Sequence, residues 1–376
     1  MSDRQVVLVT GVAGYLGSRV AAQLIAVNEH SANLEGEDQG SQNPEYHVIG
    51  LDNTPPLEPI KGLDFIQADV RNPLLIEVLQ SENVNTIVHL AFRDTYHPSE
   101  KAFDLNVIGT MKVLGAAAEA GVRKVILRSS TAVYGALPDN SAFLTEDHVL
   151  NGNKSRSSIR DMVEIEAFVN GFQRQAPEMV ITVLRFANIL GLTIDSPLTR
   201  LLKQNPPLTL LGFDPLMQLI HENDVVNALV FAVQNDVPGA FNIATQGILP
   251  LGKIIGLAGR IPIPVVHLCA YAGVDVMKIV GLKRQDKFPF EPDYIRYPWV
   301  ADLTRMHEEM GFEPTYTAEE TLREFAGYLR IKKYKPESPD LSYDEERLRD
   351  ILDRRQRMRD QRKKTLSDEY EEATYG

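Results

Sequence analysis

Eight residues near the start of the chain, TGVAGYLG over Thr10–Gly17, constrain its fold more than any other stretch. They set Gly11, Gly14 and Gly17 at spacings of three between two different patterns. Before them, Gln5–Thr10 is a short apolar, β-branched run of the kind that forms a buried strand. After them, Tyr15–Val27 has helical spacing, with Leu16, Val20, Leu24 and Ile25 on one side. In a strand–turn–helix unit the first glycine permits the tight turn and the second lets backbone approach a pyrophosphate. The third lets the helix pack close to the strand. The arrangement predicts a dinucleotide site.

The strand–helix alternation continues. His47–Leu51, Asp64–Ile66, Thr86–Leu90, Lys124–Arg128 and Met179–Arg185 read as strands, with helical stretches at Leu74–Gln80, Leu105–Ala120 and Ser157–Phe172 between them. The expected fold class is α/β, a Rossmann-type doubly wound parallel sheet covered on both faces. Residues 1–190 are expected to form the cofactor domain, with Asn28–Glu45 as a polar insertion loop. Residues 191–330, richer in proline, are expected to be mostly a smaller substrate domain, with Phe241–Ala244 returning to the sheet. Residues 331–376 form a charged tail, expected to be helical or disordered, in which Ser342–Lys364 reads as a solvated helix with ion pairs.

Charge and cysteine count narrow the partners. The net charge is −12 and lies entirely before the neutral tail, which disfavours a nucleic-acid partner. A single cysteine, Cys269, excludes an internal disulfide framework and a Cys-rich metal site. The N-terminal residues lack a signal-peptide layout, so the cytoplasm is the expected location. Ile261–Leu282 is the one apolar candidate for a membrane contact. It carries His267, Asp275 and Lys278, each charge costing roughly 2.5–3.5 kcal/mol at a bilayer centre, so no transmembrane segment is expected and a buried or interface helix is the simpler reading.

Asp52 ends the second strand. A carboxylate there accepts from the adenine ribose hydroxyls and repels a 2′-phosphate, favouring NAD over NADP; capping a turn is the alternative. It lies farther from Gly11 than the usual span of roughly 20 residues, and Asn28–Glu45 accounts for the excess.

Several ordered motifs together resemble the extended short-chain dehydrogenase/reductases of the NAD-dependent epimerase/dehydratase type, which includes UDP-glucose 4-epimerases. Besides the glycine turn they are LDN at Leu51–Asn53, ADVRN at Ala68–Asn72, HLAF at His89–Phe92 and NVIGTMKVL at Asn106–Leu114. RSSTAVYG at Arg128–Gly135, LTED at Leu144–Asp147, LRFANILG at Leu184–Gly191 and QLIHENDVVNAL at Gln218–Leu229 complete the set, over roughly residues 5–330. The resemblance implies NAD as cofactor, a nucleotide-sugar-like ligand and a possible homodimer. The implied cofactor contacts are Gly11, Gly14, Tyr15, Leu16, Gly17, Asp52, Asn53, Asp69, Val70, Leu90, Ala91, Asn106 and Ser129. Ser130 is implied as the hydroxyl that bonds the reacting sugar oxygen, and His221 and Asp224 as residues at a helix entry near the substrate domain.

The chain departs from that pattern where the chemistry is done. The family carries a Tyr-x-x-x-Lys pair on one helix face, the tyrosine moving a proton and the lysine lowering its pKa and holding the ribose. Here the matching helix reads SSIRDMVEIEAFV; anchored on Glu166, Ser158 takes the tyrosine position and Met162 the lysine position. Anchoring on Glu164 gives Arg156 and Arg160, and no tyrosine occurs between Tyr134 and Tyr271. Methionine has no proton to give and no charge, and loss of a positioned acid/base costs about 10²–10⁴ in rate. Tyr134 is the candidate substitute acid/base, with Lys154 and His148 as loop residues able to swing in. Arg160 and Asp161 read as a solvated ion pair. His221 and Asp224 lack a third metal ligand, so no metal is expected. The sequence therefore leaves three functions open: an NAD-dependent sugar-nucleotide enzyme with a non-standard acid/base, a non-catalytic NAD-responsive binding or regulatory protein, and a reductase acting on a hydrophobic substrate, suggested by the apolar Ile261–Leu282 stretch, which more simply packs an interface.

Overall fold

The computed structural model describes residues 5–34, 45–96, 98–155, 158–267 and 289–333, without the side chains of 29–34, 153 and 331–333. Seven strands form one parallel sheet: β1 (Gln5–Thr10), β2 (Tyr46–Asp52), β3 (Asp64–Gln67), β4 (Thr86–His89), β5 (Lys124–Ser130), β6 (Val180–Phe186) and β10 (Gly239–Ile243). Their order across the sheet is β3-β2-β1-β4-β5-β6-β10, and each neighbouring pair is parallel. The order reverses direction between β1 and β4, which opens a crevice at the carboxyl ends of those strands.

Period-two alternation along the strands divides the core between the two faces of the sheet. Val7, Val9, Val88, Ile126, Leu184 and Phe186 pack on one side with Val20 and Leu24 of α1 (Tyr15–Leu34). Val225, Leu229 and Val233 of α7 (Glu222–Gln234) join them there. Leu8, Ile49, Ile87, Val125, Leu127 and Ile181 face the other way, onto α2 (Leu75–Ser81), α4 (Gly109–Ala120) and α5 (Ile159–Phe172). Helices thus cover both faces, as the alternation of patterns predicts.

Further elements follow β6 in the chain, and two of them, β7 (Asn188–Leu190) and α6 (Pro197–Lys203), contribute residues to the space beside the crevice. β7, β9 (Leu216–His221) and β11 (Ile248–Pro250) form a second sheet; β8 (Leu208–Leu210) pairs with β12 (Ile263–Val265). α6 starts from a capping box, in which Ser196 Oγ accepts from Thr199 N and Thr199 Oγ1 accepts from Ser196 N, with Pro197 in the first turn. α8 (Leu251–Leu257) follows β11, and α9 (Ala318–Lys333) ends the described chain. The chain falls into two units, Met1–Ala326 and Gly327–Gly376. No helix among the described residues is long and apolar enough to cross a membrane.

Two expectations about elements need correction. The loop expected from Asn28 does not begin there, because α1 continues to Leu34. Residues 28–34 hold neither glycine nor proline to stop a helix. Asn28 then ties the helix to β2, its Nδ2 donating to Tyr46 O at 2.7 Å and its Oδ1 accepting from Tyr46 N at 2.8 Å. The single helix expected over Leu105–Ala120 is instead α3 (Glu100–Phe103), a π-helical turn over Asp104–Ile108, and α4. Residues 35–44, most of Ile261–Leu282 including Cys269, and the tail beyond Lys333 lie outside the described residues.

Candidate functional site

The glycine turn is shaped to leave backbone exposed to a ligand. Gly11 has φ +72°, its N–H donates to Leu51 O at 2.9 Å, and an added Cβ would stand 2.6 Å from Leu90 and Ala91 backbone. Gly17 is packed by its neighbour: a Cβ there would stand 2.2 Å from Gly11 O. The bond from Ser18 N to Gly14 O, 2.9 Å, closes the first turn of α1. The N–H groups of Tyr15, Leu16 and Gly17 therefore have no partner inside the helix and offer, with the positive helix end, a site for an anion.

From this turn a groove of about 360 Å³ runs over the ends of β1, β2 and β4. Gly11, Gly14, Asp52, Asn53, Asp69, Val70, Leu90 and Ala91 line it, as do Phe92, Arg93 and Asp94. Asp52 caps the local turns and also lines the groove. Its Oδ2 accepts from Ala13 N at 3.0 Å and its Oδ1 from Thr54 N at 3.2 Å, while its carboxylate stays on the groove wall. Asp69 accepts from Arg71 N at 2.8 Å and from the Arg71 guanidinium at 2.9 and 2.6 Å, which holds its carboxyl below the usual range.

The segment after β4 is fixed by a buried chain of hydrogen bonds. Leu90 N and Ala91 N both donate to Thr10 Oγ1, at 3.2 and 3.3 Å. Thr10 Oγ1 lies 2.7 Å from His89 Nδ1, His89 Nε2 lies 3.0 Å from Thr110 Oγ1, and Thr110 donates to Asn106 O at 2.5 Å. With the Thr110 proton committed to that carbonyl, Nε2 must carry the histidine proton and Nδ1 must accept. The ring is thus a neutral tautomer, and burial lowers its pKa to about 4.

Asn106 is fully buried and lines neither groove nor cavity. Its Oδ1 accepts from Arg93 N at 2.8 Å, and its Nδ2 donates to Arg93 O at 3.0 Å and to Asp161 Oδ2 at 2.9 Å. It acts from beneath, pinning the groove wall. Asp161 does meet Arg160, whose Nη2 lies 3.4 Å from its Oδ1, but it is not a solvated charge: it is 3% exposed and receives the Asn106 amide.

A second cavity, about 330 Å³, adjoins the groove and shares Gly11, Gly14, Leu90, Phe92 and Asp94 with it. Tyr15, Leu16, Gly17, Ser129, Ser130, Ser158 and Met162 also line it. Ser130 Oγ accepts from Ala132 N at 3.2 Å, and its own proton remains for a ligand oxygen. Ser129 Oγ donates to Glu166 Oε1 at 2.5 Å. The far wall comes from α6 and from Phe290, Tyr294 and Trp299, where Tyr294 donates to Ala132 O at 2.8 Å and Trp299 Nε1 to Tyr294 O at 3.2 Å.

Ser158 and Met162, expected at the positions of the acid/base pair, both line this cavity. Ser158 is 5% exposed; its Oγ accepts from Thr95 N at 3.1 Å and its N–H donates to Thr95 O at 2.9 Å. Met162, 4% exposed, packs with Val133 and Val163 against Phe92 and Leu150.

Tyr134, the expected substitute, is fully buried and lies away from both spaces. Its hydroxyl donates to Asn242 Oδ1 at 2.7 Å and accepts from Arg185 Nη1 at 2.7 Å, and burial pushes its pKa up to about 12. Arg185 belongs to the same buried network, holding Glu166 Oε2 through Nε and Nη2 at 2.9 and 2.6 Å and Glu146 O at 2.9 Å. Lys154 and His148 line neither space; Lys154 is exposed and the His148 ring meets Tyr134 edge-on at 6.1 Å.

His221 caps α7, its Nδ1 accepting from Asn223 N at 3.2 Å, and Asp224 accepts from Thr315 N and Tyr316 N at 3.0 Å each. Among the described residues no three His, Cys, Asp or Glu side chains converge as a metal set would.

Sequence reasoning did not single out Phe92, Asp94, Arg128, Arg200 or the Phe290–Trp299 wall. Arg128 had a signal, a charged residue closing an otherwise apolar strand end. The wall had none, since it meets the cavity only through the chain's long return.

The sequence pattern of the NAD dependent epimerase/dehydratase family matches residues 7–244. An uncharacterized protein of Mycobacterium tuberculosis is 34% identical over 346 residues, 88% of this chain and 85% of the relative. UDP-glucose 4-epimerase 2 of Oryza sativa subsp. japonica is 30% identical over 190 residues, 49% of this chain and 45% of that protein. Among solved structures, UDP-glucose 4-epimerase from Thermotoga maritima with UDP-glucose has a TM-score of 0.62 at 21% identity, covering 88% of this chain and 100% of that one. The dTDP-glucose 4,6-dehydratase of Bacillus anthracis in complex with NAD has a TM-score of 0.61 at 18% identity, covering 88% and 97%. These two structures share the fold.

Proposed function

Because the chain belongs to the NAD-dependent epimerase/dehydratase family, we propose that it binds NAD along the groove and a nucleotide-sugar-like ligand in the adjoining cavity, and acts on a carbinol of that ligand. The observation that carries this reading is the continuity of the two spaces. Groove and cavity meet at Gly11, Gly14, Leu90, Phe92 and Asp94, so a ligand reaching Ser130 would stand beside the cofactor's end.

The residues fit the cofactor. The N–H groups opening α1 and the bare Gly11 turn suit a pyrophosphate; Asp52 suits ribose hydroxyls and opposes a 2′-phosphate. Bound NAD supplies a hydride acceptor and donor. Ser130 holds the ligand oxygen, and the Phe290, Tyr294 and Trp299 side chains exclude water from that end of the cavity. The UDP-glucose and NAD complexes of the similar structures support the same pair of ligands.

A specific observation favours a second reading, a non-catalytic NAD-responsive binding protein. Met162, packed in apolar contacts, has no proton to give, and Ser158, whose Oγ accepts from Thr95 N and lies 3.5 Å from Asp94 Oδ1, offers a hydroxyl with no cation in contact among the described residues, in place of a phenol–lysine pair. One experiment separates the two. Purified protein is loaded with NAD, incubated with a panel of UDP- and dTDP-sugars, and followed by the absorbance of reduced nicotinamide and by product analysis, with thermal-shift binding alongside. Turnover that disappears in Ser130→Ala supports the enzyme. Tight NAD and ligand binding without turnover across the panel supports the binding protein.

A further inference from the structure

Two cations line the cavity among the described residues, Arg128 and Arg200. Arg200 is committed: its Nε and Nη2 hold both oxygens of Asp195, at 2.7 and 2.6 Å, and its guanidinium lies over the Tyr96 ring. Arg128 is only half committed. Its Nη2 donates to Asp94 Oδ2 at 3.2 Å, and that carboxylate side chain is 52% exposed, so water meets much of its charge. Arg128 Nε is buried with no partner. A buried N–H without an acceptor is unfavourable, and a small shift of the side chain that brings it to a ligand oxygen would relieve it.

The position matters as much as the unspent donor. Arg128 stands two residues before Ser130 on β5, so both side chains leave the same face of the strand. Its guanidinium lies 5.8 Å from the centre of the Phe92 ring, and Phe92 and Asp94 line both groove and cavity. The cation therefore sits where the two spaces join, beside the hydroxyl that meets the ligand. A guanidinium presents parallel N–H donors in a planar fork, which two carboxylate oxygens satisfy together and a single sugar hydroxyl does not.

Resting on the nucleotide-sugar reading of the cavity, we propose that Arg128 sets the ligand class: it receives a carboxylate beside Ser130, and the chain takes an acidic, uronate-type nucleotide sugar in preference to a neutral one.

The test is calorimetric titration of the NAD-saturated full chain with UDP-glucuronate and UDP-glucose, which differ only in the oxidation state of C6. The readout is the ratio of the two affinities in the natural chain, in Arg128→Gln and in Arg128→Lys, each variant first shown by thermal melting to be folded. The natural chain is expected to favour the uronate by about tenfold or more. Arg128→Gln should bring the ratio to within twofold, and Arg128→Lys, a point charge without the fork, should leave an intermediate ratio. Equal affinities in the natural chain, or a preference that survives Arg128→Gln, overturn the role of Arg128. Uptake of NAD with no uptake of either sugar nucleotide overturns the ligand reading itself and this proposal with it.

Discussion

Replacing Arg185 with methionine removes the cation at the centre of a buried network while keeping much of the side chain's volume. Arg185 and Glu166 are each 4% exposed, joined at 2.9 and 2.6 Å, and Arg185 also donates to Tyr134 Oη and Glu146 O. Without it, Glu166 is a buried carboxylate whose remaining donor is Ser129. Breaking such a pair by deleting one partner costs about 3–5 kcal/mol. At about 2.1 cal/mol/K of unfolding entropy per residue, a chain of this length shifts by roughly 1.3 °C per kcal/mol, so the melting temperature should fall by roughly 4–6 °C. Removing both charges leaves no stranded ion, so Arg185→Met/Glu166→Gln should recover a large part of that loss. Urea unfolding of the natural chain, the two single variants and the double variant gives the coupling energy directly. A single-variant loss below about 1 kcal/mol, or a double variant no more stable than Arg185→Met, would refute the assignment of a structural role to this pair.

Three further outcomes follow from the same geometry. His89 is held neutral with a pKa of about 4, against about 6.5 when unfolded; its contribution is complete above pH 6.5 and is lost as pH falls toward 4. Stability should therefore drop by up to roughly 3 kcal/mol over that window, and His89→Gln should flatten the slope in pH-dependent urea melts. Gly11→Ala forces a side chain into left-handed backbone, costing roughly 1–2 kcal/mol, and drives its Cβ against Leu90 and Ala91 backbone; NAD affinity should fall at least tenfold by calorimetry. Asp52→Asn keeps an acceptor for Ala13 N–H but loses the charge, so the preference for NAD over NADP should shrink about tenfold, and an unchanged ratio would make Asp52 a turn cap alone.

The sheet and its cofactor turn were legible in the sequence because short-range physics fixes them. Apolar runs one strand long, the glycine spacing and helical stripes such as Leu16, Val20 and Leu24 depend on neighbours a few residues away. Boundaries were less legible: the polar stretch Asn28–Leu34 reads as loop yet is helical, and the π-helical turn at Asp104–Ile108 carries Asn106, which reaches across to Arg93. Long-range hydrogen bonding also misdirects a reading of single residues. Tyr134 lies four residues after Ser130 and reads as a reserve acid, yet Asn242, 108 residues away, claims its hydroxyl. Asp161 reads as a surface charge on a helix and is instead buried under Asn106. The cavity wall around Tyr294 and Trp299 shows the same thing from the other side, since its residues reach the site only through tertiary packing.

Titrating the purified, folded chain with NAD⁺ and, separately, NADP⁺ in a calorimeter addresses the dinucleotide site without reference to any substrate. One NAD⁺ per chain, bound more tightly than NADP⁺, is the expected result. A well-folded protein that takes up neither would contradict the account at its base.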